Sequence, residues 1–112
     1  MTDKELLELA AKAAGIELRI YDGMIVNPGT DLVVVTKDGF PWNPLNSGAD
    51  ALRLAVKLNL IVDIGGGYAE ARCPEFDPEP KAMEYFNNND DPYAATRRAI
   101  VRAASEIGRG ME

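Results

Sequence analysis

The stretch WNPLNSGADALRLAVKLNLIVDI, residues 42–64, decides the fold. Ser47 is placed to accept a hydrogen bond from the backbone N–H of Asp50. The Asp50 carboxylate reaches back towards this cap, where it meets the positive end of a helix dipole. A helix therefore starts here. Ala51, Leu52, Ala55, Val56 and Leu58 recur at three- and four-residue spacing and define its core face, with Arg53 and Lys57 as an outward pair one turn apart. Asn59 tolerates positive φ and is placed to end the helix, after which Leu60, Ile61, Val62 and Ile64 read as a strand. Trp42, set between Pro41 and Asn43-Pro44, is expected to pack beneath the first turn as a structural aromatic, although an exposed ring there would also serve a partner.

Upstream, Thr2 and Glu5 form a Thr-x-x-Glu capping box, followed by Leu6, Leu9, Ala10, Ala13 and Ala14 on one face and a left-handed stop at Gly15. Ile16, Leu18 and Ile20 alternate with Glu17, Arg19 and Tyr21 as in a strand with one wet face. Asp22-Gly23 signals a turn, with Met24 to Val26 as a short return, and Asn27-Pro28-Gly29-Thr30 signals a second turn. Residues 32–35 are apolar throughout, the pattern of a strand covered on both sides near the middle of a sheet.

Downstream, Gly65-Gly66-Gly67 reads as a hairpin turn leading to a strand from Tyr68 to Cys73. Residues 74–91, PEFDPEPKAMEYFNNNDD, form an acidic, proline-rich excursion in which Met83, Tyr85 and Phe86 supply anchors for an extra turn or short strand. Asp91-Pro92 caps a last helix whose buried stripe is Thr96, Ala99, Ile100, Ala103, Ala104 and Ile107, with Gly108 as its end. The expected architecture is one α+β domain over residues 1–112, a layered α/β sandwich in the order α-β-β-α-β-β-α. Its four-to-five-stranded sheet is mainly antiparallel, and Leu52, Ala55, Ile100 and Val34 are nearly fully buried.

Composition narrows function by exclusion. Eighteen acidic residues against twelve basic give a net charge of −6, which disfavours generic binding to nucleic acid or to an anionic membrane. The absence of histidine removes the usual general base and the commonest zinc ligand, and with them most hydrolase templates. The single cysteine, Cys73, excludes an intramolecular disulfide and reads as a buried, inert thiol. No stretch approaches the roughly 18 apolar residues of a membrane span, and the start of the chain lacks the basic and apolar segments of a signal peptide. A cytoplasmic protein is expected, without catalytic residues, cofactor or metal.

Local motifs agree. The glycine run is not G-x-G-x-x-G and precedes a strand rather than a helix, so it reads as a turn and not a phosphate loop. Asp77, Glu79, Glu84, Asp90 and Asp91 do not follow the EF-hand spacing and read as a solvated acidic loop. Arg97, Arg98, Arg102 and Arg109 cluster on and just after the last helix. Arg98 and Arg102 repel at one-turn spacing unless something anionic lies over them, with Glu106 as the local partner of Arg102. If acids of the excursion fold back on these arginines the feature is structural; if not, it is a partner contact, to which Trp42 and Arg109 would add.

The blocks TDKELLELAAKAAGI (2–16), WNPLNSGADALRLAVKL (42–58) and DPYAATRRAIVRAASEIGRGM (91–111) resemble the phage "ABA sandwich" domain family, small proteins of tailed bacteriophages and prophages. The resemblance covers about half of the chain. It implies a helix-sheet-helix layering and a phage genome context, and offers no established activity or functional residues to carry over. The excursion departs from the family pattern. The expectation is an uncharacterised bacteriophage or prophage accessory protein that binds a macromolecular host or phage partner in the host cytoplasm. One alternative is an acidic inhibitor that mimics nucleic acid towards a host nucleic-acid enzyme, using the carboxylates of 74–91. Another is a small-ligand-binding protein with a pocket lined by Trp42, Tyr68 and Arg98.

Overall fold

The computed structural model describes residues 2–22, 32–36, 38–87 and 90–111, with backbone alone at 19–22 and 32–35. The elements are α1 (Asp3–Ala14), β1 (Leu18–Asp22), β2 (Leu32–Thr36), α2 (Gly48–Lys57), β3 (Ile61–Gly65), β4 (Tyr68–Arg72), β5 (Lys81–Tyr85) and α3 (Pro92–Gly110). The class is α+β with antiparallel sheets, as the periodicities imply. The expected order lacks β5, which forms inside the excursion where Lys81 to Tyr85 alternate between the two faces of a sheet. The turns at Asp22-Gly23 and 27–30 and the return at Met24 to Val26 fall outside the described residues.

The helix ends follow local chemistry. Glu5 donates its backbone N–H to Thr2 Oγ1 at 3.2 Å, and Asp50 donates to Ser47 Oγ at the same distance. Gly15 has φ 72° and Asn59 φ 56°, and beyond each a backbone N–H reaches back to a helix carbonyl: Ile16 to Ala11 and Leu60 to Ala55, both at 2.9 Å. Both are Schellman stops, which satisfy carbonyls the helix leaves open. Asp91 accepts the Tyr93 N–H at 2.9 Å ahead of Pro92 at the first turn of α3. Gly108 does not end α3, which runs on to Gly110. It lies buried against α1, where a Cβ would sit 2.0 Å from the Leu9 carbonyl oxygen.

The strands form two sheets rather than one. β1 and β2 make a two-stranded antiparallel sheet with Leu18 opposite Thr36, so β2 has no second neighbour among the described residues. β3, β4 and β5 make the other, in that order. The Trp42 loop and α2 separate β2 from β3 and pack towards α3, so β3 begins a new sheet. Gly66-Gly67 is the β3–β4 turn, with Gly67 at φ 96°.

Ala69, Ala71 and Ala82 lie on the inner face of the three-stranded sheet, where small side chains let α3 approach closely. α3 is the centre of the molecule. Ala99, Ile100, Val101, Ala103, Ala104 and Ile107 are all buried, against α1 on one side, β4 and β5 on another and α2 at the first turns. The expected helix faces need rotating. On α1, Leu7 and Ala11 are buried and Leu9 and Ala13 only half-buried. On α2 the inward set is Ala51, Leu54 and Ala55, while Leu52 and Val56 are 64% and 68% exposed. Ala55 and Ile100 are buried as expected and Leu52 is not; the Val34 side chain falls outside the described residues.

Candidate functional site

Arg98, Arg102, Ser105 and Arg109 recur at spacings of four, three and four, which puts them on one face of α3. That face looks towards β5 and the start of α1 across a cleft of about 410 Å³, lined also by Leu6, Lys81, Glu84 and Glu106. Glu84 stands over both arginines, pairing with Arg102 Nη1 and lying 3.8 Å from Arg98 Nε. Arg102 Nη1 also donates to the Met83 carbonyl at 3.1 Å, and Arg98 Nη1 donates to Asp3 at 3.2 Å. The anionic cover that one-turn arginine spacing demands is therefore internal, supplied by a strand residue 18 positions from Arg102. Glu106 pairs with Arg109 at 3.4 Å and not with Arg102, whose guanidinium is drawn to β5.

Arg97 leaves α3 in another direction. Its Nε donates to the Leu45 carbonyl at 2.9 Å, fastening the WNPL loop to the helix. The same loop is held by Asp50, which accepts the Asn43 N–H at 2.9 Å instead of closing on the Ser47 cap, and by Asn43 Oδ1, which accepts the Leu45 N–H. Trp42 is 7% exposed within the core cluster and Pro44 is fully buried beside it in sequence. Trp42 thus offers no ring face to a partner, and Arg97 is a clamp.

Trp42, Tyr68 and Arg98 do not meet around a pocket. Tyr68 pairs with Tyr85 on the face of the sheet opposite Ala69, whereas Arg98 reaches Glu84 on the inner face. On the outer face Arg72 gathers Asp63, Glu70 and Glu79 at 3.6, 3.5 and 3.4 Å. Asp90 accepts the Asn87 N–H and Asp91 caps α3, so the acids of the excursion are dispersed into separate structural contacts. Cys73 is fully buried, its Sγ 3.5 Å from the Leu58 carbonyl oxygen.

A different surface emerges at the open end of α2. Leu52, Ile64 and Tyr93 are 64%, 62% and 77% exposed and, with Val62, rim an apolar groove of about 300 Å³; Val56 follows Leu52 one turn on. The sequence held a signal for it. Ala51, Leu54, Ala55 and Leu58 complete an inward stripe at spacings of three, one and three, so Leu52 and Val56 are more apolar surface than the fold consumes. β3 is also an edge strand, with one side unpaired among the described residues.

No protein-family model, curated protein or solved structure matches the chain. No helix among the described residues is long and apolar enough to cross a membrane. Among the described residues, the surface brings together exposed apolar side chains at one place and paired ions at another.

Proposed function

We propose that this chain is a non-catalytic accessory protein of a bacteriophage or prophage that acts in the host cytoplasm by binding a macromolecular partner through the Leu52, Val56, Ile64 and Tyr93 face. The observation that carries the reading is the grouping of exposed Leu52, Ile64 and Tyr93 around one apolar groove, with Val56 one helical turn beyond Leu52. Scattered exposed apolar residues are ordinary, but a contiguous patch around a groove marks a contact surface. Large side chains at the centre of such a patch contribute about 1–2 kcal/mol or more each when a partner desolvates them. The phage setting rests on the resemblance of residues 2–16, 42–58 and 91–111. A nucleic-acid mimic is less well supported, because Glu79, Glu84 and Asp91 lie against arginines of the chain itself and Asp90 accepts a backbone N–H, which leaves Glu75 and Asp77 as the acids of that stretch without such a contact among the described residues.

The test is capture of host and phage proteins by the tagged chain, compared with a Leu52→Asp, Ile64→Asp variant and a Lys81→Ala, Arg109→Ala variant. The reading expects a saturable partner that survives 0.5 M salt, is lost with the first variant and is kept with the second. Capture that disappears in salt and persists in the first variant would favour the mimic.

A further inference from the structure

We propose that the cleft between α3, β5 and the first turn of α1 binds a compact oxyanion of the phosphate class, an activity separate from the apolar face. Four cationic side chains line it, Lys81, Arg98, Arg102 and Arg109, against two carboxylates, Glu84 and Glu106. Asp3 pairs with Arg98 from outside the cleft, so four cations minus three carboxylates leaves +1 in a chain whose net charge is −6, a local cationic excess. An anion would balance it.

Donor geometry favours phosphate over a carboxylate. Each guanidinium carries five N–H donors. Both bonds of Arg102 leave from Nη1, to Glu84 and to the Met83 carbonyl. Arg98 directs Nη1 to Asp3 and holds only a long contact from Nε to Glu84. Arg109 meets Glu106 through Nη1. The Nη2 groups of all three and the Lys81 ammonium have no assigned acceptor among the described residues. They exceed what one two-oxygen carboxylate can accept but suit the several oxygens of a phosphate.

The carboxylate contacts also organise the site. Glu84, with 23% side-chain exposure, holds Arg98 and Arg102 as a pair that would otherwise splay apart. Ser105, buried at 2% exposure, donates to the Arg102 carbonyl at 2.7 Å and fixes the turn between Arg102 and Arg109. Leu6 forms an apolar wall, which lowers local screening and strengthens a charge-assisted hydrogen bond. Glu106 is an exposed competitor for Arg109.

Isothermal titration of the full chain with inorganic phosphate, with sulfate and acetate as comparisons at matched ionic strength, tests the proposal. One saturable site is expected, with phosphate at least tenfold tighter than acetate. The Lys81→Ala, Arg109→Ala variant removes peripheral cations without disturbing Glu84, and should melt as the parent does while weakening phosphate at least tenfold. Glu106→Gln removes the competitor and should tighten binding about threefold, a change of roughly 0.7 kcal/mol. No saturable heat up to about 20 mM phosphate, well beyond the millimolar range that corresponds to about 4 kcal/mol of binding, would overturn the assignment. So would binding unchanged in the double variant, or acetate binding as tightly as phosphate. None of these results bears on capture through the apolar face, so the two readings fail separately.

Discussion

Two helices lean on α3, and they use apolar side chains differently. α1 packs on it with Leu6, Leu7, Ala10, Ala11 and Ala14 in the same core as Ala103 and Ala104, and with its backbone at Leu9 close against Gly108. α2 meets only the first turns of α3, using Ala51, Leu54 and Ala55, and leaves Leu52 and Val56 in solvent. Folding buries most of the apolar side chains of α1, with Leu9 and Ala13 half-buried, but leaves Leu52 and Val56 of α2 largely exposed. A comparable residue therefore has opposite consequences in the two places. At α1 its removal should cost stability; at α2, if the proposed contact holds, its removal should cost binding instead.

The sharpest way to break this contrast is at Leu7, which is fully buried. Leu7→Ala should destabilise the protein by about 2–5 kcal/mol, because lost transfer free energy and a residual cavity add at a site that cannot collapse around alanines. Urea unfolding measures it, and a loss below about 1 kcal/mol would mean that the crossing is looser than its contacts imply. Gly108 sharpens the same point. Gly→Ala within a helix ordinarily stabilises by up to about 1 kcal/mol through helix propensity. Here the added Cβ meets the Leu9 carbonyl at 2.0 Å, so Gly108→Ala should instead lose about 1–3 kcal/mol as the helices are forced apart. A melting temperature raised by the substitution would refute the close approach.

The contrast also explains how much of the molecule was legible in the sequence. Wherever the deciding interaction is local, the residues announce it: the Thr2 and Ser47 caps, the left-handed stops at Gly15 and Asn59, Asp91-Pro92, and the Gly66-Gly67 turn. Wherever it is tertiary, periodicity is ambiguous. In α2, Leu52 and Val56 fit a helical spacing as well as Leu54 does, and only the position of α3 selects between them. Gly108 looks like a helix stop until α1 is seen against it. β5 was obscured by the prolines around it, and with it Glu84, the residue that converts an arginine cluster into an ion-paired cleft. The edge of β2, apolar at 32–35, gave no indication that it pairs with β1 alone among the described residues.

Arginines next to each other in sequence make a smaller test of the same division between fold and surface. Arg97 is 21% exposed along its side chain and satisfies a loop carbonyl, whereas Arg98 is 40% exposed and pairs with carboxylates that water can also solvate. Arg97→Ala should cost about 1–2 kcal/mol by leaving the Leu45 carbonyl without its donor. Arg98→Ala should cost less than about 1 kcal/mol, in the range of exposed ion pairs. Parallel urea titrations of the two variants decide the order. If Arg98 proved the costlier, Glu84 and Asp3 would be structural anchors of greater weight than the WNPL loop.

The smallest effect on stability is expected on the exposed apolar face proposed as the contact surface. Replacing Leu52 and Val56 together by glutamine puts a good helix former at both positions of α2 and removes apolar area that is already about two-thirds in water. Almost no burial is lost in the folded state, and exposing less apolar surface affects folded and unfolded chains alike. The net change should therefore stay within about 0.5 kcal/mol, or a few degrees in melting temperature. Binding of a hydrophobic reporter dye, and retention on a phenyl column, should fall at the same time, because the patch supplies one of the accessible apolar grooves. A stability loss above about 2 kcal/mol would mean that Leu52 and Val56 are covered in solution by another copy of the chain. In that case the apolar excess at α2 would belong to assembly of the protein itself, and the contrast between its two helix contacts would vanish.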